Sequence, residues 1–385
     1  MNHKYRINAD WKRLAEQVVL PNQCILVLGA SDVGKSTFCR FLIDYACAAS
    51  MEVALVDADI GQSQIGPPTT IGLKHYTATS ENEIVYLPFG GYNNHQNNPH
   101  RKLDPNSTSS DIYQSNTNFE KIHTADKLYF VGSLSPQRNL LPMLTGTRLM
   151  VDTALNSGSD IIVVDTTGFV HDGAASMLKQ QKIELIRPNH IVCIGRSKTL
   201  ERIVGCFENV NWLSIHYMQP HKLVRTKSSE ARKRNRQTMF KRYFADSKIH
   251  EMSFEQIRGG RTPYFNGRVA NPKELDILSG LTETEIVYAE WGHRSLCLIA
   301  RRKLTNNATN SVKNYLSLTN ISTETTAYFE QRLVGLVNEE GVTTGVGIIE
   351  NVDFETRVFS IRCPEGIAPT TKILQFGEYQ YTGTL

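Results

Sequence analysis

A glycine-rich loop between an apolar strand and a helix constrains this chain more than any other feature. Residues Gly29–Ser36 read GASDVGKS, directly after the apolar run Cys24–Leu28 and before a helical pattern over about 37–49. The backbone N–H groups of such a turn and the N-terminus of the following helix together form a cradle for phosphate anions. We expect the Lys35 ammonium to reach the β- and γ-phosphates of a nucleotide and the Ser36 hydroxyl to bind Mg²⁺.

The sequence therefore predicts a nucleoside-triphosphate site; the alternative is an ordinary glycine turn. The predicted nucleotide-binding residues are Gly29, Ala30, Ser31, Asp32, Val33, Gly34, Lys35, Ser36 and Thr37.

Alternating apolar runs and helical patterns predict the fold class. Runs of aliphatic and β-branched residues that are typical of buried parallel strands occur at Val53–Asp57, Asp160–Asp165, His190–Ile194 and Trp212–His216. Helical patterns at Leu140–Ser157 and Gly173–Ile186 lie between them. This order predicts an α/β fold, a P-loop NTPase-type parallel sheet flanked by helices, with the nucleotide at the carboxyl ends of the strands.

After about residue 249 the apolar runs become short and are separated by Gly, Asn and Pro, which favours a smaller, mostly β C-terminal domain. We expect an N-terminal segment over 1–22, the nucleotide-binding domain over 23–248 and the β-rich domain over 249–385. Within the second of these, the Asn- and Ser-rich stretch 90–118 predicts a flexible insertion and the basic stretch 222–244 predicts a lid.

Composition and cysteine spacing predict the cellular compartment of the protein. The sequence has no run of 18 apolar residues and its first residues lack an apolar signal region, so we expect no membrane span and no secretion. The seven cysteines are scattered without a C-x-x-C pair, which favours free thiols in a reducing compartment over a zinc site. We therefore expect a soluble, intracellular protein of the cytoplasm. Protein partners and oligomeric state stay open.

Carboxylates and hydroxyls follow the predicted strands at the edge where the glycine-rich loop lies. Asp57 and Asp59 end the second strand and Asp165 ends the strand before Thr167. Phosphoryl transfer to an alcohol needs a carboxylate that accepts the hydroxyl proton and others that hold metal-bound water. We assign Asp59 as the candidate base and Asp57 and Asp165, with the Ser36 hydroxyl, to Mg²⁺. The alternative is that Asp57, Asp59 or both only cap the next helix.

Further polar residues could face a substrate at the same edge. Thr167 follows Asp165 directly and is a candidate for contact with the γ-phosphate region. Ser133 and Ser135 follow the apolar run Leu128–Val131, where they either bind substrate phosphate or form a turn.

The basic stretch is the densest charge cluster in the chain. Glu230 is the one acidic residue among these basic residues: Lys222, Arg225, Lys227, Arg232, Lys233, Arg234, Arg236, Lys241 and Arg242. A solvated helix face is the common outcome for such a run. Beside a nucleotide site, we expect the run to face the phosphates of ATP, of a nucleic acid, or of both.

Taken together, these motifs resemble the polynucleotide 5′-hydroxyl kinase family, which includes the RNA 5′-kinase of the pre-mRNA cleavage machinery, ribosomal-RNA-processing kinases and archaeal and bacterial relatives. The matching blocks, in order along about residues 24–245, are GASDVGKST (29–37), DADIGQSQIGPP (57–68), FVGSLSPQRNLLP (130–142), VVDTTGFV (163–170), KIELIRP (182–188) and the basic segment 225–244.

The resemblance implies transfer of the γ-phosphate of ATP to the 5′-hydroxyl end of a single- or double-stranded RNA or DNA, with Mg²⁺. It implies that Lys35 and Asp59 are catalytic and that Gln62 faces the substrate. In the lid it implies that Arg232 and Arg236, which share a helix face, close over the transferred phosphate, with Arg234 as an alternative.

One residue departs from the family pattern. Eukaryotic members carry Trp where this chain has Phe169. A phenyl ring can still stack on a base, but RNA preference does not follow from it.

Other classes share parts of the pattern. Asp165–Gly168 satisfies the D-x-x-G motif of a GTPase, yet no Asn-Lys-x-Asp motif follows. An ATPase of the partition type would need a lysine early in the loop, where Ala30 and Ser31 stand. A nucleotide-binding RNA-processing scaffold without turnover is the third alternative, and the combination of Lys35, Asp59 and the lid arginines argues against it.

Overall fold

The computed structural model describes residues 9–77 and 125–383. The chain divides into two compact units. The first contains the chain up to Tyr129 and Ser135–Met239, and the second contains Phe130–Leu134 and the chain from Phe240 onward. The insertion predicted at 90–118 lies outside the described residues.

The elements that lie in or begin in the first unit alternate between helix and strand. They are α1 (Ala9–Val18), β1 (Gln23–Gly29), α2 (Lys35–Ala48), β2 (Val53–Ala58), β3 (Thr70–Tyr76), β4 (Lys127–Phe130), α3 (Leu140–Asn156), β5 (Ile161–Thr166), α4 (Gly173–Ile186), β6 (His190–Ile194), α5 (Lys198–Val204), β7 (Ser214–Met218) and α6 (Ser229–Tyr243).

The strands of this unit pair in the order β7-β6-β1-β5-β2-β3-β4. The five strands from β7 to β2 are parallel, which confirms the predicted sheet. The strand β3 was not predicted, and it pairs antiparallel to β2. The last parallel strand begins at Ser214, two residues later than predicted, because Ser214 is the residue that aligns with His190 of β6.

Strand register places the acidic residues side by side. In the pairing of β2 with β5, Asp57 stands opposite Asp165, and in the pairing of β1 with β5, Val27 stands opposite the same residue. Since β1 runs directly into the glycine-rich loop, both carboxylates lie at the edge of the sheet that bears the loop.

The central strands of the first unit are continuous apolar runs because they are buried in its core. All residues of β2 and β5 are buried, as expected for parallel strands with helices on both faces. The first helix packs on α2 through Trp11. The centroid of its ring lies 5.3 Å from the ring centroid of Phe38 and 5.5 Å from that of Phe41.

The second unit is mostly β, as predicted. Its elements are β8 (Ser247–Ser253), β9 (Arg258–Gly260), β10 (Arg268–Val269), α7 (Pro272–Thr282), β11 (Ile286–Gly292), β12 (Ser295–Ala300), α8 (Asn306–Tyr315), β13 (Asn320–Thr325), β14 (Arg332–Val337), β15 (Thr343–Asp353), β16 (Val358–Pro364) and β17 (Ile373–Gln380).

Two sets of strands and two helices form this unit. One set pairs in the order β15-β14-β17-β9, with β16 bridging β15 and β8, and the other pairs in the order β10-β11-β12-β13. The helices α7 and α8 were not anticipated. A signal for α7 was present, because Asn271 and Glu274 form a reciprocal capping box at its start. Within the described ranges, no helix is long and apolar enough to cross a membrane.

Candidate nucleotide and phosphoryl-transfer site

The glycine-rich loop joins β1 to α2 in the conformation that the motif requires. Gly34, immediately before α2, has φ 95°, a left-handed conformation that glycine adopts without a steric penalty. Asp32 is also left-handed, at φ 58°. The Lys35 side chain is buried, and its ammonium donates a 2.7 Å hydrogen bond to the carbonyl of Ala30. The ammonium is therefore folded back over the loop, where the phosphates of a nucleotide would lie.

A hydroxyl and a buried carboxylate meet behind the loop. The Ser36 side chain is hydrogen-bonded to Asp165, which is 3% exposed. Burial raises the pKa of Asp165 to about 6, while Lys35 and Ser36 act to lower it. Its Oδ1 atom has no hydrogen-bond partner among the described residues.

These atoms fit a magnesium ion. An unpaired buried carboxylate oxygen beside a hydroxyl is a hard oxygen donor set, which Mg²⁺ prefers. No three His, Cys, Asp or Glu side chains of the described ranges converge on one metal position. The protein would thus hold Mg²⁺ through Ser36 and Asp165, while phosphate oxygens and water complete its coordination, as is usual for this ion.

Asp57 organises the turn that follows β2. Its Oδ2 accepts hydrogen bonds from the Gln64 backbone N–H at 2.6 Å and from the Ser63 hydroxyl at 3.2 Å, and its Oδ1 accepts one from the Asp59 N–H at 3.0 Å. Burial and the neighbouring charge of Asp165 raise its pKa to about 7. Most of its acceptor capacity is therefore used within the turn.

Asp59 lies one residue beyond the end of β2 and is only partly buried. Its Oδ1 accepts hydrogen bonds from the backbone N–H groups of Gly61 at 3.1 Å and Gln62 at 3.2 Å. Its Oδ2 makes no hydrogen bond within the described part of the chain. The turn thus holds the carboxylate through its Oδ1 atom.

The loop after β5 packs directly on the glycine-rich loop. The Thr166 hydroxyl donates to the carbonyl of Val27 at 2.8 Å. A Cβ atom at Gly168 would lie 2.5 Å from the backbone nitrogen of Ser31 and closer still to its hydroxyl, so only glycine fits. Thr167 is buried and Phe169 is half-buried.

Sequence reasoning missed two lysines of α4. Lys179 and Lys182 are 0% and 1% exposed. The Lys179 ammonium donates to the Thr167 carbonyl at 2.8 Å and its hydroxyl at 3.4 Å, so it fixes the loop that packs on the glycine-rich loop. Both residues share helical spacing with the buried Ile183 and Ile186. This periodicity was the available signal, because it places two cations on an apolar helix face.

The surroundings of these lysines disfavour their charge. Burial lowers the pKa of Lys182 to about 7, although the charge of Asp59 acts to raise it. Burial, and then the charges of Lys182 and Lys35, hold the pKa of Lys179 well below its usual range. The Lys182 ammonium has no hydrogen-bond partner among the described residues.

The basic stretch reaches both functional loops. Arg232, in the first turn of α6, donates to Asp32 Oδ2 at 2.5 Å. The Arg232 carbonyl accepts a 3.4 Å hydrogen bond from the Gln62 side chain. Arg236 lies one turn further along the helix and is half-buried. The predicted lid, the glycine-rich loop and the Asp59 turn therefore meet in the first unit.

The two predicted serines, Ser133 and Ser135, belong to different units of the chain. Ser133 is buried and belongs to the second unit. Ser135 belongs to the first, and its hydroxyl accepts a 3.3 Å hydrogen bond from the Gln137 N–H, as a turn-capping serine does. A role of either hydroxyl in substrate binding stays a prediction.

The parallel sheet, the glycine-rich loop and the Ser36–Asp165 pair define a P-loop nucleotide-binding protein. The chain belongs to a particular family of that class, because the model of the mRNA cleavage and polyadenylation factor CLP1 P-loop family matches residues 29–105 and 105–246. This result confirms the resemblance found in the sequence.

Named relatives extend the match over most of the chain. The polyribonucleotide 5′-hydroxyl-kinase of Methanocaldococcus jannaschii is 31% identical over 344 residues, which cover 88% of this chain and 81% of the relative. The enzyme of the same name from Pyrococcus furiosus is 27% identical over 355 residues, 92% of this chain and 86% of the relative. Among solved structures, Clp1p in its complex with a segment of Pcf11p shares the fold, with a TM-score of 0.59 and 13% identity over 97% of this chain and 80% of that chain.

Proposed function

We propose that this protein is an ATP- and Mg²⁺-dependent polynucleotide 5′-hydroxyl kinase, which transfers the γ-phosphate of ATP to the 5′-hydroxyl end of RNA or DNA. Membership of the CLP1 P-loop family and the names of its long relatives support this proposal. One structural observation supports the proposal independently of the names of the relatives. The phosphate loop, a carboxylate with one unbonded oxygen and a basic helix meet in a single unit, linked through Arg232.

The proposed reaction follows from the positions of these groups. Lys35 and the loop N–H groups hold the triphosphate. Ser36 and Asp165 would hold Mg²⁺, which would supply positive charge against the phosphate oxygens. Asp59 Oδ2 accepts the proton of the 5′-hydroxyl while the hydroxyl oxygen forms a bond to the γ-phosphorus. The bond from that phosphorus to the β–γ bridging oxygen breaks, and ADP leaves.

Asp57 keeps the proposed role of a metal partner, but its hydrogen bonds suggest that it acts by holding the Asp59 turn. Arg236 is the leading lid arginine for contact with the transferred phosphoryl group, because a guanidinium group stabilises the charge that spreads over it. Arg232, the other predicted lid arginine, is paired with Asp32. Gln62, Phe169, Ser133 and Ser135 stay the proposed contacts to the nucleic acid, and Thr167 stays the proposed contact to the γ-phosphate region.

We also propose that the protein works in the cytoplasm, where ATP and nucleic-acid ends are available. The cysteines of the described ranges are free thiols, and six of them are buried. Free thiols are typical of a reducing compartment.

A transfer assay tests the proposed function. The protein is incubated with ATP or GTP labelled at the γ-phosphate and with matched single- and double-stranded 5′-hydroxyl RNA and DNA. We expect label on the 5′ end, and no label on the same oligonucleotides that already carry a 5′-phosphate. Lys35→Ala should lower the rate by at least about 10²-fold, because the triphosphate loses its charged ligand. Absence of transfer to every oligonucleotide, or full activity of Lys35→Ala, would refute the proposal.

A further inference from the structure

An acidic side chain stands inside the phosphate-binding loop. Asp32 is the fourth residue of GASDVGKS, and its side chain is 12% exposed. The loop gathers N–H groups toward an anion, and a carboxylate at this position opposes the same anion. The structure therefore has to neutralise Asp32 if the loop is to bind a triphosphate.

The neutralising contact comes from the basic lid. Asp32 Oδ2 accepts a hydrogen bond from the Arg232 guanidinium at 2.5 Å and a second one from the backbone N–H of Lys227 at 3.0 Å. Both donors lie in the lid stretch, one in the segment that leads to α6 and one in its first turn. A charge-assisted pair that is largely shielded from water is stronger than an exposed ion pair.

The first turns of α6 contribute no buried side chain to a core. No residue between Ser229 and Thr238 is buried, whereas Met239 and Phe240 at the far end of α6 are. The first turns of the helix therefore lack an apolar face that would dock them on the core. Their position depends on polar contacts, and the Asp32 carboxylate bonds both the segment before α6 and the first turn of the helix.

We infer that Asp32 is the latch that docks the lid on the phosphate loop, and that Arg232 is a positioning residue which acts through Asp32. The Arg232 carbonyl, held by the Gln62 side chain, then ties the same turn to the Asp59 loop. Docking in this way neutralises the loop and fixes the first turns of α6, so that Arg236, one turn further along, is presented from a fixed helix. The effect of this docking on phosphate transfer rests on the proposed kinase function. Docking of the lid can itself be measured without turnover.

Hydrogen exchange measures docking directly. Amide exchange of peptides from 225–238 is followed in the nucleotide-free wild type, in Asp32→Ala and in the control Lys233→Gln, which changes an exposed lid cation. We expect exchange in Asp32→Ala to be faster by about tenfold or more, and the control to match the wild type. Unchanged exchange in Asp32→Ala would overturn the latch. If Asp32→Ala does not fold, Asp32→Asn, which retains an acceptor for the Lys227 N–H, takes its place with the same criterion.

Affinity for ATP separates a latch from a direct phosphate ligand. Arg232→Gln leaves Asp32 unpaired, so the Kd for ATP measured by calorimetry should rise by about tenfold. If Arg232 acts through Asp32, the double variant Asp32→Asn with Arg232→Gln should recover affinity close to that of Asp32→Asn alone. If Arg232 binds phosphate directly, the double variant stays as weak as Arg232→Gln, and the inference is wrong. A protein that binds ATP but transfers no phosphate would refute the kinase proposal and leave the latch result valid.

Discussion

Asp57 and Asp165 stand directly opposite each other on adjacent parallel strands, and both carboxylates are buried. Their surroundings differ, because Asp57 accepts hydrogen bonds from the turn after β2, whereas Asp165 bonds Ser36 and keeps one unpaired oxygen. Two neighbouring buried carboxylates raise each other's pKa unless a cation is present. The two carboxylates therefore differ, because the turn after β2 engages Asp57, whereas one oxygen of Asp165 has no partner among the described residues.

Substitution of the two acids of the turn after β2, Asp59 and Asp57, should have different effects. Asp59→Asn should fold and bind ATP but lose turnover by about 10²-fold or more, because an amide cannot accept the hydroxyl proton. The measurement is kcat from the transfer assay together with the Kd for ATP. A kcat close to that of the wild type in Asp59→Asn would exclude Asp59 as the base.

Asp57→Ala should instead reduce stability, since it leaves the N–H groups of Gln64 and Asp59 without their carboxylate partner. The expected loss in the free energy of unfolding is about 1–3 kcal/mol, measured by urea denaturation at pH 7 without nucleotide. Wild-type stability in Asp57→Ala would contradict its role in holding the turn.

The contact between the two loops gives a second prediction. Gly168→Ala places a methyl group against the Ser31 backbone, so the loops must move apart and ATP binding should weaken, with kcat/KM lower by about 10²-fold. Gly173→Ala is the matched control, because a Cβ atom there meets no atom within 4 Å. The control should keep its activity, and equal losses in both variants would show that the effect is not specific to the contact.

Lys179 gives a third prediction. Lys179→Met keeps the length of the side chain but removes the hydrogen bond to the Thr167 carbonyl. The loop at 166–169 should become less fixed, so that kcat/KM falls by about tenfold while the melting temperature stays the same or rises, since a buried cation is removed. A fall in activity that merely follows a fall in stability would mean that Lys179 has no positioning role.

Lys182 predicts a dependence of stability on pH. Its pKa falls from 10.5 in the unfolded chain to about 7 in the folded protein. Between these values the unfolded chain binds a proton that the folded protein does not, so this lysine destabilises most below pH 7 and progressively less as the pH rises. Lys182→Met should therefore be more stable than the wild type by about 1–3 kcal/mol at pH 7, measured by urea denaturation.

That stability difference should shrink when the same measurement is made at pH 8 and pH 9. Buried groups that do not interact with Lys182 titrate equally in both proteins and cancel in the comparison. Lys179 is the exception, because the charge of Lys182 lowers its pKa. A difference that stays constant from pH 7 to pH 9 would show that Lys182 does not lose its proton on folding.

Local sequence patterns are enough to predict the parallel sheet, the phosphate loop and the acids at the strand ends. These features depend on local patterns, namely apolar runs of strand length, a glycine motif before a helix, and Asp57 and Asp165 at the ends of such runs. The same local information missed β3, because its antiparallel pairing to β2 depends on which strand lies beside it in the folded sheet.

The way in which these parts act together depends on contacts that form in the folded protein. Asp32 and Arg232 are 200 residues apart in the chain, and no local pattern shows that a loop acid and a lid arginine will pair. Likewise, a lysine on a helix is ordinarily solvated, and it is the packing of α4 that buries Lys179 against the Thr167 carbonyl. Short-range periodicity fixes elements and their order, whereas burial and charge pairing arise from contacts between residues distant in sequence.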